Sequence, residues 1–238
     1  MNEQNGIHVL TCAQLPEDLE RNQLLLTTVP NSLEAIEAHA AAKSLARISF
    51  SCPGGAPRRL NIFSQNGYDV RALSLLQWKP SPALTPQHRV RVLTNDDDWN
   101  AATTLRFTQR ANGMTADAFQ DFTRRRMHLY RTACDAGRGE WFGLFRRGAL
   151  VSTCGIMCPT GDIARFRLVL THLRHRRRGY ASSLVQGAAR HIQMTFGAAT
   201  ILIAAERNSS TQQLYERAGF HEIQTAFQVT RTVGAVLG

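Results

Sequence analysis

The sequence predicts a mixed α/β (α+β) fold, in which a mixed sheet carries helices on its faces. Three observations point that way. Hydrophobic residues make up 43% of the 238 positions, enough for a substantial core. Apolar positions alternate at strand spacing in some segments and recur at helical spacing in others. Most glycines and prolines fall between those segments rather than inside them.

The N-terminal third reads as a small α/β unit. LPEDLERNQLLL is expected to form a short helix. NSLEAIEAHAAAKSL is expected to form another, with Asn31 or Ser32 as its cap. ARISFSC alternates as a strand does, and SCPGGAP breaks the chain. RRLNIFSQNGY reads as a helix closed by Gly67, and DVRALSLLQW as a strand. KPSPALTPQ holds three prolines in a short span. It is expected to be a linker, which divides the chain into residues 1–80, a proline-rich joint at 81–88, and a larger domain at 89–238.

Past that joint the order β-α-α-β-β-β-α-β-α-β is expected. RVRVLT is a strand, and NDDDWNAATTLRFTQ a helix that opens on capping residues. ADAFQDFTRRRMHLYRTACDAG is a longer helix stopped by Gly137. EWFGLF and ALVSTCGIM are strands joined at Arg146-Arg147-Gly148, and GDIARFRLVLT is the next strand. RGYASSLVQGAARHIQMTF is a helix with Ala181, Leu184, Val185, Ala188 and Ile192 at helical spacing. AATILIAAE is a buried strand, SSTQQLYERAGF a helix, and HEIQTAFQVTR the last strand. The closing TVGAVLG is expected to be loose.

The net charge of +10, nearly all arginine, favours anionic partners. Arg124 to Arg126 read as one solvated helix face. Phe142, Phe145 and Phe166 sit at strand spacing and read as core rather than as a stacking platform for bases. No apolar run is long enough to cross a bilayer, and the first residues do not read as a signal peptide, so a cytoplasmic protein without membrane contact is expected. Cys12, Cys52, Cys134, Cys154 and Cys158 are scattered and read as reduced thiols, most of them buried, with no metal site.

The densest chemistry lies in LVLTHLRHRRRGYASSL, which is strand, tight loop, then helix. A helix N-terminus presents free N–H groups and a positive dipole end, and a glycine there lets the backbone approach a phosphate. Arg174 to Arg178 surround that point. Two readings of the arginines compete, a nucleic-acid patch and a pyrophosphate pocket. The loop is not a Walker A motif, because the Gly-Lys-Ser/Thr ending is absent. Nor is it a dinucleotide fingerprint, because it has one glycine.

Arg176-x-x-Gly179-x-Ala181 resembles the acyl-CoA signature of the GNAT acetyltransferase superfamily. Downstream, Asn208, then Leu214-Tyr215-Glu216, then Gly219-Phe220 is similar to that family's later motif. The resemblance covers about residues 89–231. It implies a mostly antiparallel sheet whose central parallel strands, FRLVLT and TILIAAE, splay apart around acetyl-CoA. It also implies transfer of an acetyl group to a primary amine of a small molecule or peptide, by direct attack. Arg176, Arg177, Arg178, Gly179, Tyr180 and Ala181 are implied to hold the pyrophosphate. Val169, Leu170 and Thr171 are implied to bond the pantetheine arm and polarise the thioester oxygen. Tyr215 is implied to protonate the leaving thiolate, its ordinary value of about 10 lying near the thiol's value of about 8.5. Asn208 is implied to bond the pantetheine arm or a bridging water. Dimers are frequent in the family, so a homodimer is a further implication.

The chain departs from the pattern in two places. Leu173 stands where many members have proline. IARFRLVLT carries Arg165 and Arg167 where many members carry a catalytic glutamate; Glu206 and His172 are the candidate bases, and catalysis without a dedicated base, by a low-pKa amine or a water chain, is the alternative. Two other readings remain open beside the acetyltransferase. One is a non-catalytic acyl-CoA-binding or regulatory module, and the other a basic nucleic-acid-binding protein. IFSQNGYDV also falls in register with LYERAGFHE, placing Phe63 against Tyr215 and Tyr68 against Phe220. Residues of about 31–80 therefore resemble a degenerate half of the same domain, without the catalytic tyrosine.

Overall fold

The structure is a computed structural model. It describes residues 3–4, 7–18, 20–27, 33–34, 36–38, 47–53, 57–81, 83–109, 114–159 and 161–232. The chain forms two compact units, one of residues 1–75 with 224–238 and one of residues 76–223. The proline-rich segment at 81–88 lies within the second unit.

In the first unit, β1 (Glu3–Gln4), β2 (Ile7–Leu10) and β3 (Gln23–Leu26) form an antiparallel meander. β3 then runs parallel to β4 (Arg47–Pro53). β4 pairs antiparallel with the far end of β11 (Phe220–Thr232), from Ala226 opposite Pro53 to Thr232 opposite Arg47. Helix α1 (Pro57–Gln65) and strand β5 (Asp69–Trp78) complete the unit. Leu24, Leu26, Ile36, Leu60, Phe63, Tyr68 and Val229 are its core. Arg231 bonds Glu37 at 2.7 Å and lies over the Tyr68 ring, whose hydroxyl reaches the same carboxylate at 3.1 Å.

The helix expected over LPEDLERNQLLL does not form. Asn22 explains the difference, because its amide donates to the carbonyls of Leu15 and Asp18 and its oxygen accepts from the Cys12 N–H at 2.7 Å. These bonds hold residues 12–22 as consecutive turns and leave Gln23–Leu26 extended. Most of NSLEAIEAHAAAKSL lies outside the described residues, although 34 and 36–38 are helical.

The second unit follows the expected order. Its strands are β6 (Arg91–Val92), β7 (Gly139–Arg146), β8 (Ala149–Met157), β9 (Ile163–Thr171) and β10 (Thr200–Glu206). All neighbours pair antiparallel except β9 and β10, which run parallel. The first strand is shorter than RVRVLT suggests. Arg147 and Gly148, both at positive φ, make the two-residue turn between β7 and β8, as a tight hairpin requires.

Helices α2 (Asp96–Phe107), α3 (Ala116–Asp135), α4 (Tyr180–Phe196) and α5 (Ser210–Arg217) flank these strands. Asn95 caps α2, and Asp96 to Asp98 complement its dipole. Side chains alternate across β7. Phe142 packs in the core with Leu184, Val185, Ala188 and Ile192 of α4, while Trp141 packs with Trp99 and Ala102 of α2 and Met127 and Tyr130 of α3. The Trp141 indole donates to Thr153 at 2.8 Å and its ring covers Gly155. Phe142 and Phe166 are core as expected, and Phe145 is partly buried under the guanidinium of Arg91.

Two expectations need revision here. Arg126 is 7% exposed and lies beside the Phe122 and Tyr130 rings, so it does not share the solvated face of Arg124. The proline-rich segment is fastened to α4. Arg190 donates to the carbonyls of Ser81 and Leu84, and Val90 sits against Gly187. Cys154 and Cys158 are buried, Cys12 and Cys134 are half-buried, and Cys52 carries no described side chain.

Candidate active site

The site begins where β9 and β10 stop pairing. Their register runs from Ile163 opposite Thr200 to Arg165 opposite Leu202 and ends there. The remaining lengths of the two strands, Phe166 to Thr171 and Ile203 to Glu206, part. The other edge of β9 stays bonded to β8 but shifts register between Thr153 and Gly155, and Leu168 takes a φ of 48° at that shift. A β-bulge of this kind re-aims the backbone that follows it. Ser152 fastens the strand end beyond the bulge. Its hydroxyl donates to the Leu170 carbonyl at 2.9 Å and lies 2.7 Å from the Thr171 hydroxyl.

After β9 the chain makes a single 3-10 turn, Leu173–His175, and enters α4 through Gly179. Gly179 stands at φ 75°, in the left-handed region that favours glycine, and no side chain caps the helix. The first-turn N–H groups of α4 are therefore available to an anion. His88 supports this turn, its ring 4.8 Å from that of Tyr180 and its Nε2 3.3 Å from the Arg178 carbonyl.

A cleft of about 620 Å³ opens at this point. One wall holds Val169, Thr171, Arg176, Arg177, Gly179, Tyr180 and Ala181. Tyr215 reaches it from α5. These eight residues, expected from the sequence to act together, share one space. Leu170, Arg178, Asn208 and Glu206 do not line it. Leu170 turns into the core, and its carbonyl is engaged by Ser152. Asn208 is exposed at φ 61°, and Ser209 takes the cap of α5 instead. His172 is also outside the lining. Its Nδ1 accepts from the Arg174 N–H at 3.2 Å and so caps the 3-10 turn. Among the described residues, no carboxylate lines the cleft.

The structure adds residues that the sequence reading passed over. Ser210, Gln213, Leu214 and Arg217 line the cleft from α5, together with Thr211, and His175 and Ser182 line it from the loop and α4. The spacing of Ser210, Gln213, Leu214 and Arg217 is i, i+3, i+4, i+7, one helix face. That stripe was legible in principle, but it mixes polar and apolar residues and so resembles neither a core stripe nor a solvated face.

Tyr215 is 5% exposed. Burial pushes its phenol well above the ordinary tyrosine value. The near match with a thiol expected from unperturbed values is therefore lost in the free protein, where Tyr215 is a neutral hydrogen-bond donor. Burial likewise raises the neighbouring Cys154 thiol, which stays protonated and inert.

Residues 141–229 match the family model described as FR47-like protein, which includes the parted strands, the loop and α5. The chain shares its fold with GCN5-related N-acetyltransferases of known structure. No curated protein matches the chain in sequence. Among solved structures, it is similar to a conserved protein of unknown function from Staphylococcus epidermidis ATCC 12228, with a TM-score of 0.76 at 12% identity over 98% of this chain and 93% of the other. A GCN5-related N-acetyltransferase from Sphaerobacter thermophilus aligns with a TM-score of 0.61 at 17% identity over 94% of this chain and 75% of the other. A tandem GNAT protein from the clavulanic acid biosynthesis pathway aligns with a TM-score of 0.55 at 15% identity over 83% of this chain and 69% of the other. At these identities the likeness is one of fold. The mixed, mostly antiparallel GNAT sheet expected from the motifs is the fold observed in this domain. Among the described residues, no helix is long and apolar enough to cross a membrane.

Proposed function

We propose that the chain is an acetyl-CoA-dependent N-acetyltransferase that acetylates a primary amine. The observation that carries the reading is the parting of β9 and β10 directly above an uncapped helix N-terminus, with a buried tyrosine in the same cleft. The first turn of α4, with Arg176 and Arg177, suits the diphosphate of acetyl-CoA. The backbone of Val169 and Thr171, beyond the last residue of β9 that pairs with β10, suits the amide groups of the pantetheine arm, which can add to β9 as a short strand would. The amine attacks the thioester carbonyl, a C–N bond forms, and the C–S bond breaks. Tyr215 donates a hydrogen bond to the departing sulfur. The proton it gives up is replaced by the one that the new ammonium sheds, so the charges balance. With no carboxylate among the described residues lining the cleft, the amine arrives neutral or loses its proton to water.

The first unit supports the degenerate half-domain reading. Strand β4, helix α1, Gly67 and strand β5 repeat the order of β10, α5, Gly219 and β11. Both glycines have positive φ, at 78° and 97°. Phe63 and Tyr68 are buried with ring centroids 5.6 Å apart, and Tyr215 and Phe220 are buried with centroids 6.0 Å apart. Phe63 has no hydroxyl to donate, so this half does not catalyse. A tandem arrangement has a precedent in the clavulanic acid pathway protein.

Calorimetric titration with acetyl-CoA, followed by thiol release across a panel of amines, tests the function. Tyr215→Phe is expected to lower turnover by about 10²–10³-fold, in the range of lost general-acid catalysis, while leaving acetyl-CoA affinity within about threefold. Wild-type turnover is expected to persist past the ordinary tyrosine range, because the raised phenol stays protonated there. Equal turnover by the Phe variant at every pH would remove Tyr215 from the mechanism. Binding without turnover on any amine would favour the non-catalytic acyl-CoA-binding module.

A further inference from the structure

The proline-rich segment, described at 79–81 and 83–90, is tied to both helices that wall the cleft. At its start, the Lys79 N–H donates to the Gly219 carbonyl at 2.9 Å, just past the end of α5. A Cβ on Gly219 would lie 3.1 Å from Leu84 Cδ1, so the segment packs directly on that turn. In its middle, Arg190 of α4 donates to the carbonyls of Ser81 and Leu84. Near its end, Val90 sits on Gly187, and Gln87 Oε1 lies 3.6 Å from the place of a Cβ on Gly179. His88 meets the turn itself. Its ring stands edge-on to Tyr180, with centroids 4.8 Å apart at 68°. Its Nε2 lies 3.3 Å from the Arg178 carbonyl. A carbonyl only accepts, so Nε2 carries the proton and the ring donates. The turn needs such a hold. No side chain caps α4, and Arg177 and Gly179 both stand at positive φ, 62° and 75°. Arg177 has a Cβ, so the left-handed region is costly for it. His88 clamps the peptide that lies between these two residues.

We propose that this segment is a strap belonging to the cofactor site, and that His88 is its positioning residue, holding the strained turn so that the first N–H groups of α4 face the ligand. The inference rests on the acyl-CoA reading above. Affinity falls by the fraction of chains that keep the turn. His88→Ala removes one hydrogen bond and one ring contact, and is expected to weaken acetyl-CoA binding about 5- to 10-fold in calorimetry on the full chain. His88→Gln restores an N–H donor and should bring the loss back to about threefold or less. Arg190→Gln loosens the strap about 16 Å along α4 from Gly179. It should cost about two- to threefold, although Arg190 does not line the cleft. The Ser183 N–H, bonded to the Gly179 carbonyl at 3.0 Å, reports the turn without any ligand. Its hydrogen exchange is expected to quicken in His88→Ala and slow again in His88→Gln, with the Ile192 amide unchanged. Wild-type affinity in His88→Ala, or a loss that His88→Gln does not recover, overturns the positioning role. Unchanged affinity in Arg190→Gln overturns the strap. If the wild type does not bind acetyl-CoA, the reading beneath falls, and Ser183 still decides whether His88 holds the turn: quickened exchange in His88→Ala upholds that hold, and unchanged exchange overturns it.

Discussion

Replacing Gly179 with alanine isolates the contribution of one backbone angle to cofactor binding. Gly179 stands at φ 75°, and among the described residues the only heavy atom within 4 Å of an added methyl is Gln87 Oε1, at 3.6 Å. The substitution therefore meets open space, and its cost is conformational. Holding a residue with a Cβ in the left-handed region costs about 1–2 kcal/mol. The core residues Leu184, Val185, Ala188 and Ile192 fix α4 in place, whereas Arg176, Arg177 and Arg178 are exposed. The free variant should relax its loop and lose less than about 1 kcal/mol of stability. Binding must then restore the native turn, and the strain appears in affinity as a loss of about 5- to 30-fold. Calorimetry with acetyl-CoA reads the affinity, and urea denaturation reads the stability. Asparagine tolerates the left-handed region better than alanine, so Gly179→Asn should lose less. If alanine binds as tightly as glycine, or if asparagine binds more weakly than alanine, the turn is not what presents the N–H groups.

Three further outcomes test the scaffold. A Cβ on Gly155 would lie 2.4 Å from the Trp141 ring, and Trp141 is 1% exposed, so Gly155→Ala should cost about 1–3 kcal/mol in denaturant melts. Arg91 bonds Asp98 through two contacts of 2.6 Å and holds its carboxyl below the usual range. Stability from that pair is full above the unfolded carboxylate value and lost as pH falls through the lower folded one. Arg91→Ala, which takes the cationic partner from a buried carboxylate and leaves it the Thr94 N–H, should cost about 1–3 kcal/mol at neutral pH and much less in acid. Burial, with the hydrogen bond to Glu37, pushes the Tyr68 phenol up to about 12 against the lowering effect of Arg231. The protonated form is favoured in the folded state, so stability is full below about pH 10 and falls between about 10 and 12. Tyr68→Phe should abolish that loss, which a pH series of thermal melts can detect.

The second unit was legible because its local signals agree. Asn95 and Thr115 cap the helices that follow them, Gly179 stands where the loop must turn, and the apolar positions of α4 are the ones buried. Gly179, Tyr180, Ala181 and Tyr215 could be placed together because each belongs to a motif of fixed spacing. Residues 15–26 were illegible for the opposite reason. Their composition suits a helix, but Asn22 satisfies three backbone groups that a helix would have used otherwise. The bulge at Leu168 was also invisible, since leucine gives no hint of a left-handed φ. Arg217 could not be assigned from its neighbours, because membership of the cleft depends on which face of α5 the sheet presents.

The way β4 pairs with the end of β11 bears on how the protein is made. Residues 47–53 emerge from the ribosome well before their antiparallel partner, residues 226–232. The first unit therefore waits for the whole of the second to be translated, whereas the second is one continuous stretch, residues 76–223. The second unit can fold while its predecessor is still open, and closure across so long an intervening segment adds little entropic cost once that segment is compact. A nonsense mutation between residues 223 and 226 would leave residues 76–223 intact and strip β4 of its partner, exposing a strand edge to aggregation.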